Sequence, residues 1–197
     1  AGCVQISFGV ESGSGKIRKT LGKPISEKAI VNAFALTRSY GILPRAYFIY
    51  GSPGETERTI VESVDLILKI APLSAIFYML VIFPGTFLYR TAGQKQLITD
   101  DLWHQKIEDL PWFELDKTLD FYTVKAFGDK LRNSFYSHVH EFAETVQLVD
   151  NKKLYPFHAD FLSRLAMTFS HGEYAHNPNV KNADDTAFSL FTKALEY

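Results

Sequence analysis

Two carboxylates stand where chemistry could be done, each just past an apolar run. Glu11 follows residues 4–10, Val-Gln-Ile-Ser-Phe-Gly-Val, and leads into Ser12, Gly13, Ser14 and Gly15. Glu55 closes the stretch Tyr47, Phe48, Ile49, Tyr50, Gly51, Ser52, Pro53, Gly54. A third apolar run, residues 75–82, ends without charge in Phe83, Pro84, Gly85 and Thr86. A carboxylate in such a turn can accept hydrogen bonds from a ligand, or exchange protons as one of a pair. Glycines there let a ligand approach the backbone, and the amino end of a following helix favours negative charge.

Other constellations fall short. Gly15-Lys16 suggests a phosphate loop, but Val10 stands where its first glycine belongs and Ile17 replaces the hydroxyl residue. His138 and His140 are two apart on an expected helix and so point to different faces. His171 and His176, with Glu173 between them, fit a helix-end or surface role better than a metal site. Ser12, Ser14 and Ser52 have no histidine at a recognisable triad spacing. Lys16, Arg18, Lys19 and Lys23 read first as a solvated short helix, with contact to anionic ligand groups as the sharper alternative.

The elements that must position these turns follow in order. Residues 4–10 alternate as a strand. Ser26 caps a helix whose apolar face is Ile30, Ala33, Phe34, Thr37 and Tyr40, and Gly41 ends it. Residues 46–50 form the second strand. Thr56 opens a second helix with Ile60, Val64, Ile67, Leu68 and Ala71 as its stripe. Residues 75–82 form the third strand. Strand, helix, strand, helix, strand, with near-continuous apolar strands, means a parallel α/β sheet, either covered on both faces or closed into a barrel. In such sheets the carboxyl ends lie on one side, where ligands bind.

From residue 100 the chain becomes helical and aromatic. Residues 101–109 read as a short helix or turn, and Trp112 and Phe113 fall in an irregular stretch. Residues 124–149 read as one long helix, Pro156 opens another, and residues 184–197 form a last amphipathic helix. Composition is that of an ordinary globular protein: 197 residues, net charge −1, 46% hydrophobic. No apolar run reaches the roughly 18 residues of a membrane span, and no basic tail points to nucleic acid. The single cysteine, Cys3, excludes an internal disulfide and fits a reducing, cytoplasmic setting. Because the chain opens inside a strand pattern, it reads as a segment of something longer.

The three strand ends together resemble a known family. Ile6-Ser7-Phe8-Gly9-Val10-Glu11-Ser12-Gly13-Ser14, then Leu21 and Lys23, then Gly51-Ser52-Pro53-Gly54-Glu55-Thr56, look like the fourth and fifth strands of radical S-adenosylmethionine (radical SAM) enzymes. The closer likeness is to the branch of iron–sulfur oxidoreductases and methyltransferases with a cobalamin-binding domain upstream. Phe83-Pro84-Gly85-Thr86-Phe87-Leu88-Tyr89 fits the end of the sixth strand. One departure is Tyr47, where the family often has glycine.

The resemblance implies half of a parallel (β/α) barrel, three βα units over residues 1–93, followed by a mainly helical region over residues 94–197. It implies that Glu11 and Ser12 contact the ribose or amino-acid part of S-adenosylmethionine. Gly51, Pro53, Gly54 and Glu55 would form the turn beside the adenine, Glu55 mainly organising that turn without needing to touch the ligand, with Ile49 supplying apolar surface. Val81, Ile82 and Phe83 would offer backbone and apolar surface to the ring. The family's 4Fe-4S cluster needs a Cys-x-x-x-Cys-x-x-Cys motif, which this chain lacks, so the chain alone should be inactive. Cobalamin is left open. The expected partners are the missing amino-terminal half of the same polypeptide and a second copy pairing through exposed sheet edges. The alternative is a non-catalytic interaction module, with helices that dock a partner and an α/β scaffold.

Overall fold

The computed structural model describes residues 2–104 and 114–197. Trp112, Phe113 and most of the 101–109 stretch lie outside the described residues. Three strands, β1 (Gln5–Glu11), β2 (Leu43–Tyr50) and β3 (Ser74–Met79), form one parallel sheet in the order β1-β2-β3. The expected parallel α/β architecture is therefore present; among the described residues the sheet is open, with β1 and β3 as its edges.

The connections follow from local chemistry. After the short α1 (Gly15–Thr20), α2 (Glu27–Ser39) starts at Ser26, whose Oγ accepts from the Ala29 amide. α3 (Glu57–Ile70) opens on a capping box in which Thr56 and Thr59 each bond the other's backbone amide. α4 (Phe87–Gln94), which the sequence reading did not anticipate, is capped by Thr86.

β2 shows how the sheet is covered. Pro44, Ala46, Phe48 and Tyr50 are buried, while Leu43, Arg45, Tyr47 and Ile49 are half-exposed. Helices therefore cover one face and leave the other open. In-register partners share a face, so the covered face also carries Phe8, Ala75, Phe77 and Met79. The open face carries Ser7, Gly9, Ser74, Ile76 and Tyr78, and Tyr47 and Tyr78 stack across it at 6.0 Å.

The helical half packs onto the covered face. α5 (Phe121–Glu144) lies against β3, β2 and α3, with Phe135 meeting Phe77 at 6.1 Å. Behind it come α6 (Tyr155–Ser170), the short α7 (Glu173–His176) and α8 (Ala183–Ala194). One buried core runs from Phe34, Phe48 and Ile67 through Leu131 and Phe135 to Phe161, Leu165 and Leu190. Residues on either side of the expected 93/94 boundary thus share an interior. Among the described residues, no helix is long and apolar enough to cross a membrane.

Candidate functional site

Because the strands are parallel and adjacent, Glu11, Gly51 and the turn after β3 emerge at one edge of the sheet. Each tip is built differently.

At the tip of β1 the register slips. Gly9 pairs with Tyr47 but Glu11 pairs with Phe48, so an extra residue bulges out. Glu11 takes a left-handed φ of 64°. Its carboxylate folds back over Gly9, where an added Cβ would lie 2.6 Å from Glu11 Oε1. There it pairs with Lys23 Nζ. The buried Glu11 and the half-exposed Lys23 form a charged couple above the open face. Ser12 is buried and serves the fold: its Oγ lies 3.2 Å from Ser63 Oγ and accepts from the Ser14 amide at 3.1 Å. Ser63 Oγ also accepts from the Gly13 amide at 2.8 Å, which ties this turn to α3.

At the tip of β2, Glu55 turns back into the protein. Its Oε2 accepts from the amides of Gly51 at 2.6 Å and Ser52 at 3.2 Å. It is 2% exposed, and burial pushes its pKa up to about 7 although both amide bonds favour the anion. Gly51 sits at φ 86°, and a Cβ there would come within 2.8 Å of Val124 on α5. The Gly54 amide donates to Asp116 Oδ2 at 2.9 Å. Glu55 thus organises its turn from within and is not presented to solvent. Ser52 Oγ is buried and, among the described residues, has no hydrogen-bond partner.

This capture explains why β3 ends early. The Leu80 amide donates to the Tyr50 carbonyl at 2.7 Å, the last rung of the ladder. In a continuing parallel ladder the Ser52 amide would donate next, to the Leu80 carbonyl. Glu55 takes that amide instead, so β3 stops at Met79 and does not run to residue 82 as the apolar pattern predicts. Ile82 turns into a small second core with Tyr89, Ala92 and Ile98. Phe83 is half exposed and stacks on Trp103 at 6.4 Å.

The freed segment walls a groove of about 320 Å³, lined by Leu21, Gly22, Leu80, Val81, Ile82 and Leu88, with Thr20, Thr86 and Phe87 at its sides. Among the described residues, the backbone groups of Val81 and Ile82 find no hydrogen-bond partner. The groove joins the end of α1, one residue before Lys23, to the β3–α4 turn. Of the residues expected from sequence, Ile82 lines it, as does Val81. Glu11 neighbours it through Lys23, and Phe83 lies one residue outside its lining. Ile49 is on the open face, while Ser12 and Glu55 support the tips. Leu21, Gly22, Phe87 and Leu88 were not anticipated as groove walls, although Thr86 before an apolar stretch is a legible helix-start signal.

No group of three or more metal-ligating side chains occurs among the described residues, and Cys3 is exposed ahead of β1, at the opposite edge. These residues do not fit an iron–sulfur cluster.

No family model matches the chain. An uncharacterized methyltransferase of Pyrococcus horikoshii is 28% identical over 136 residues, 69% of this chain and 29% of that protein. An uncharacterized protein of Methanopyrus kandleri is 41% identical over 54 residues, 27% of this chain and 10% of that protein. One from Methanocaldococcus jannaschii is 37% identical over 65 residues, 33% of this chain and 13% of that protein. The chain therefore spans less than a third of each relative.

Proposed function

We propose that this chain supplies the S-adenosylmethionine-facing edge of a radical SAM enzyme of the methyltransferase type, whose cluster ligands lie outside these 197 residues. The observation that carries the reading is the groove at the strand tips, with its apolar walls and the backbone of Val81 and Ile82, just past β3, unpartnered among the described residues. The distant similarity to a protein named as a methyltransferase supports it.

S-adenosylmethionine supplies the methyl or adenosyl group when bound. Leu21, Val81, Ile82 and Leu88 would flank a planar adenine and exclude water. The backbone of residues 80–82 would meet the polar edge of the ring, a pairing that needs no side-chain donor. Glu11, held by Lys23, would accept from hydroxyl or ammonium groups of the ligand. Glu55 keeps the β2 turn out of the ladder and so leaves the groove open.

The test is an amide-shift titration of the labelled chain with S-adenosylmethionine to about 10 mM, which reads even millimolar binding. The expected result is saturable movement of Glu11, Gly22, Lys23, Val81 and Ile82. An unmoved carboxyl edge at the highest concentration sinks the reading. It would favour an interaction module instead, for which exposed Phe188 and Leu195, seven apart on and just past α8, are among the apolar residues at the surface.

A further inference from the structure

Along the first half of β3, outside the groove at the tips, two guanidinium groups line one cavity of about 310 Å³. Arg45 comes from β2, on the open face, and its Nε donates to Ser74 Oγ at 3.0 Å. Arg132 comes from α5, on the covered face, where it donates to Tyr50 Oη at 3.1 Å and Asp129 at 2.8 Å. The two reach a shared space around β3 because β3 is an outer strand.

The strand contributes donors as well. The Leu80–Tyr50 bond fixes the phase of the ladder, with even-numbered β3 residues bonding to β2. The amides of Ala75 and Phe77 therefore point away from β2, and both residues line the cavity. Among the described residues, the Nη groups of Arg45 have no partner, whereas Arg132 is balanced by Asp129.

The lining is thus rich in donors and short of acceptors. Glu173 is its carboxylate, but it is exposed, so solvent screens it, and it accepts from Tyr136 Oη. The arginines are half-buried. Planar guanidinium forks in a partly desolvated cavity match an oxyanion in geometry and charge. We propose that this cavity binds a small oxyanion, a carboxylate or a phosphate group, between Arg45 and Arg132, with Ser74 and the free-edge amides of β3 as further donors.

The experiment follows the arginine Nε–H and backbone amide resonances of the whole chain during separate titrations with inorganic phosphate and sodium acetate, at ionic strength held constant with sodium chloride. The expected result is saturable movement of Arg45, Arg132, Ala75 and Phe77 with at least one of the two anions. The tighter anion identifies the source of the group. Arg45→Gln should weaken that binding at least tenfold, and Arg45→Lys should weaken it less. Arg58→Gln, on an exposed helix face, should leave it unchanged. Because Arg132 also holds Tyr50, Ser74→Ala serves as the second variant, with an expected loss of about threefold. Non-saturating shifts, or affinity indifferent to Arg45→Gln, overturn the proposal.

Discussion

Replacing Glu55 with glutamine turns the β2 turn into a measurable pH response. Burial moves the pKa of this carboxyl from the ordinary 4.5 to about 7 in the folded chain. At about 1.36 kcal/mol per pK unit, the difference is worth about 3 kcal/mol. The folded state holds the proton more tightly, so the stabilisation is complete below pH 4.5. It is lost as pH rises from 4.5 through about 7, and is flat above that. Glutamine does not titrate and keeps one oxygen for the Gly51 and Ser52 amides. Urea unfolding of both proteins from pH 4.5 to 8 isolates the group, because other titrations cancel in the difference. The stability of the native chain relative to Glu55→Gln should fall by about 3 kcal/mol across that window. A flat difference means that the carboxyl titrates normally. A rising one means that the two amide bonds outweigh burial. Either result refutes the reasoning.

Three further outcomes follow from the packing. Gly51→Ala combines a left-handed φ with a Cβ 2.8 Å from Val124, so it should destabilise by about 2–4 kcal/mol in urea melts, with partial rescue by Val124→Ala. Phe135→Ala, in the core shared by sheet and helices, should cost about 3–5 kcal/mol and shift one cooperative transition; two separated transitions would show that the sheet and the helices unfold independently. His158 is 0% exposed with both ring nitrogens unpartnered among the described residues, and burial lowers its pKa below 6.5. Its folded form resists protonation, so stability should drop as pH falls below 6.5, and His158→Phe should lessen that drop in acid melts.

The βα order of the first half is legible because its signals are local. Ser26 and Thr56 cap their helices as expected, Gly41 takes φ 71°, and the three apolar runs pair in parallel. What was misread depended on distant partners. The end of β3 is set by the carboxylate of Glu55, which withholds an amide from the neighbouring strand, and no run of apolar residues encodes that. The long helix spans Phe121–Glu144 and not 124–149, because Asp120 accepts from Thr123 and the Val149 amide donates to the carbonyl of Ser39, the last residue of α2. Ser12 and Glu55 are recognisable as turn residues in the sequence. The resemblance already gives Glu55 the role of organising its turn; which amides it holds, and that Ser12 works inward on α3, need the third dimension. The groove walls Leu21 and Leu88 lie in segments whose apolar residues carry no distinguishing pattern.

Tyr50 joins the sheet to the helical half mechanically. Its ring lies so close to Gly128 that an added Cβ would be 2.4 Å from Cζ, and Arg132 sits over the same ring at 5.5 Å. The tip of β2 is thereby clasped by successive turns of α5. Neither can tilt without dragging the other, so a ligand that tugs on the strand ends pulls equally on the helical half. Motion at the groove should therefore register in α5 and in the helices stacked behind it.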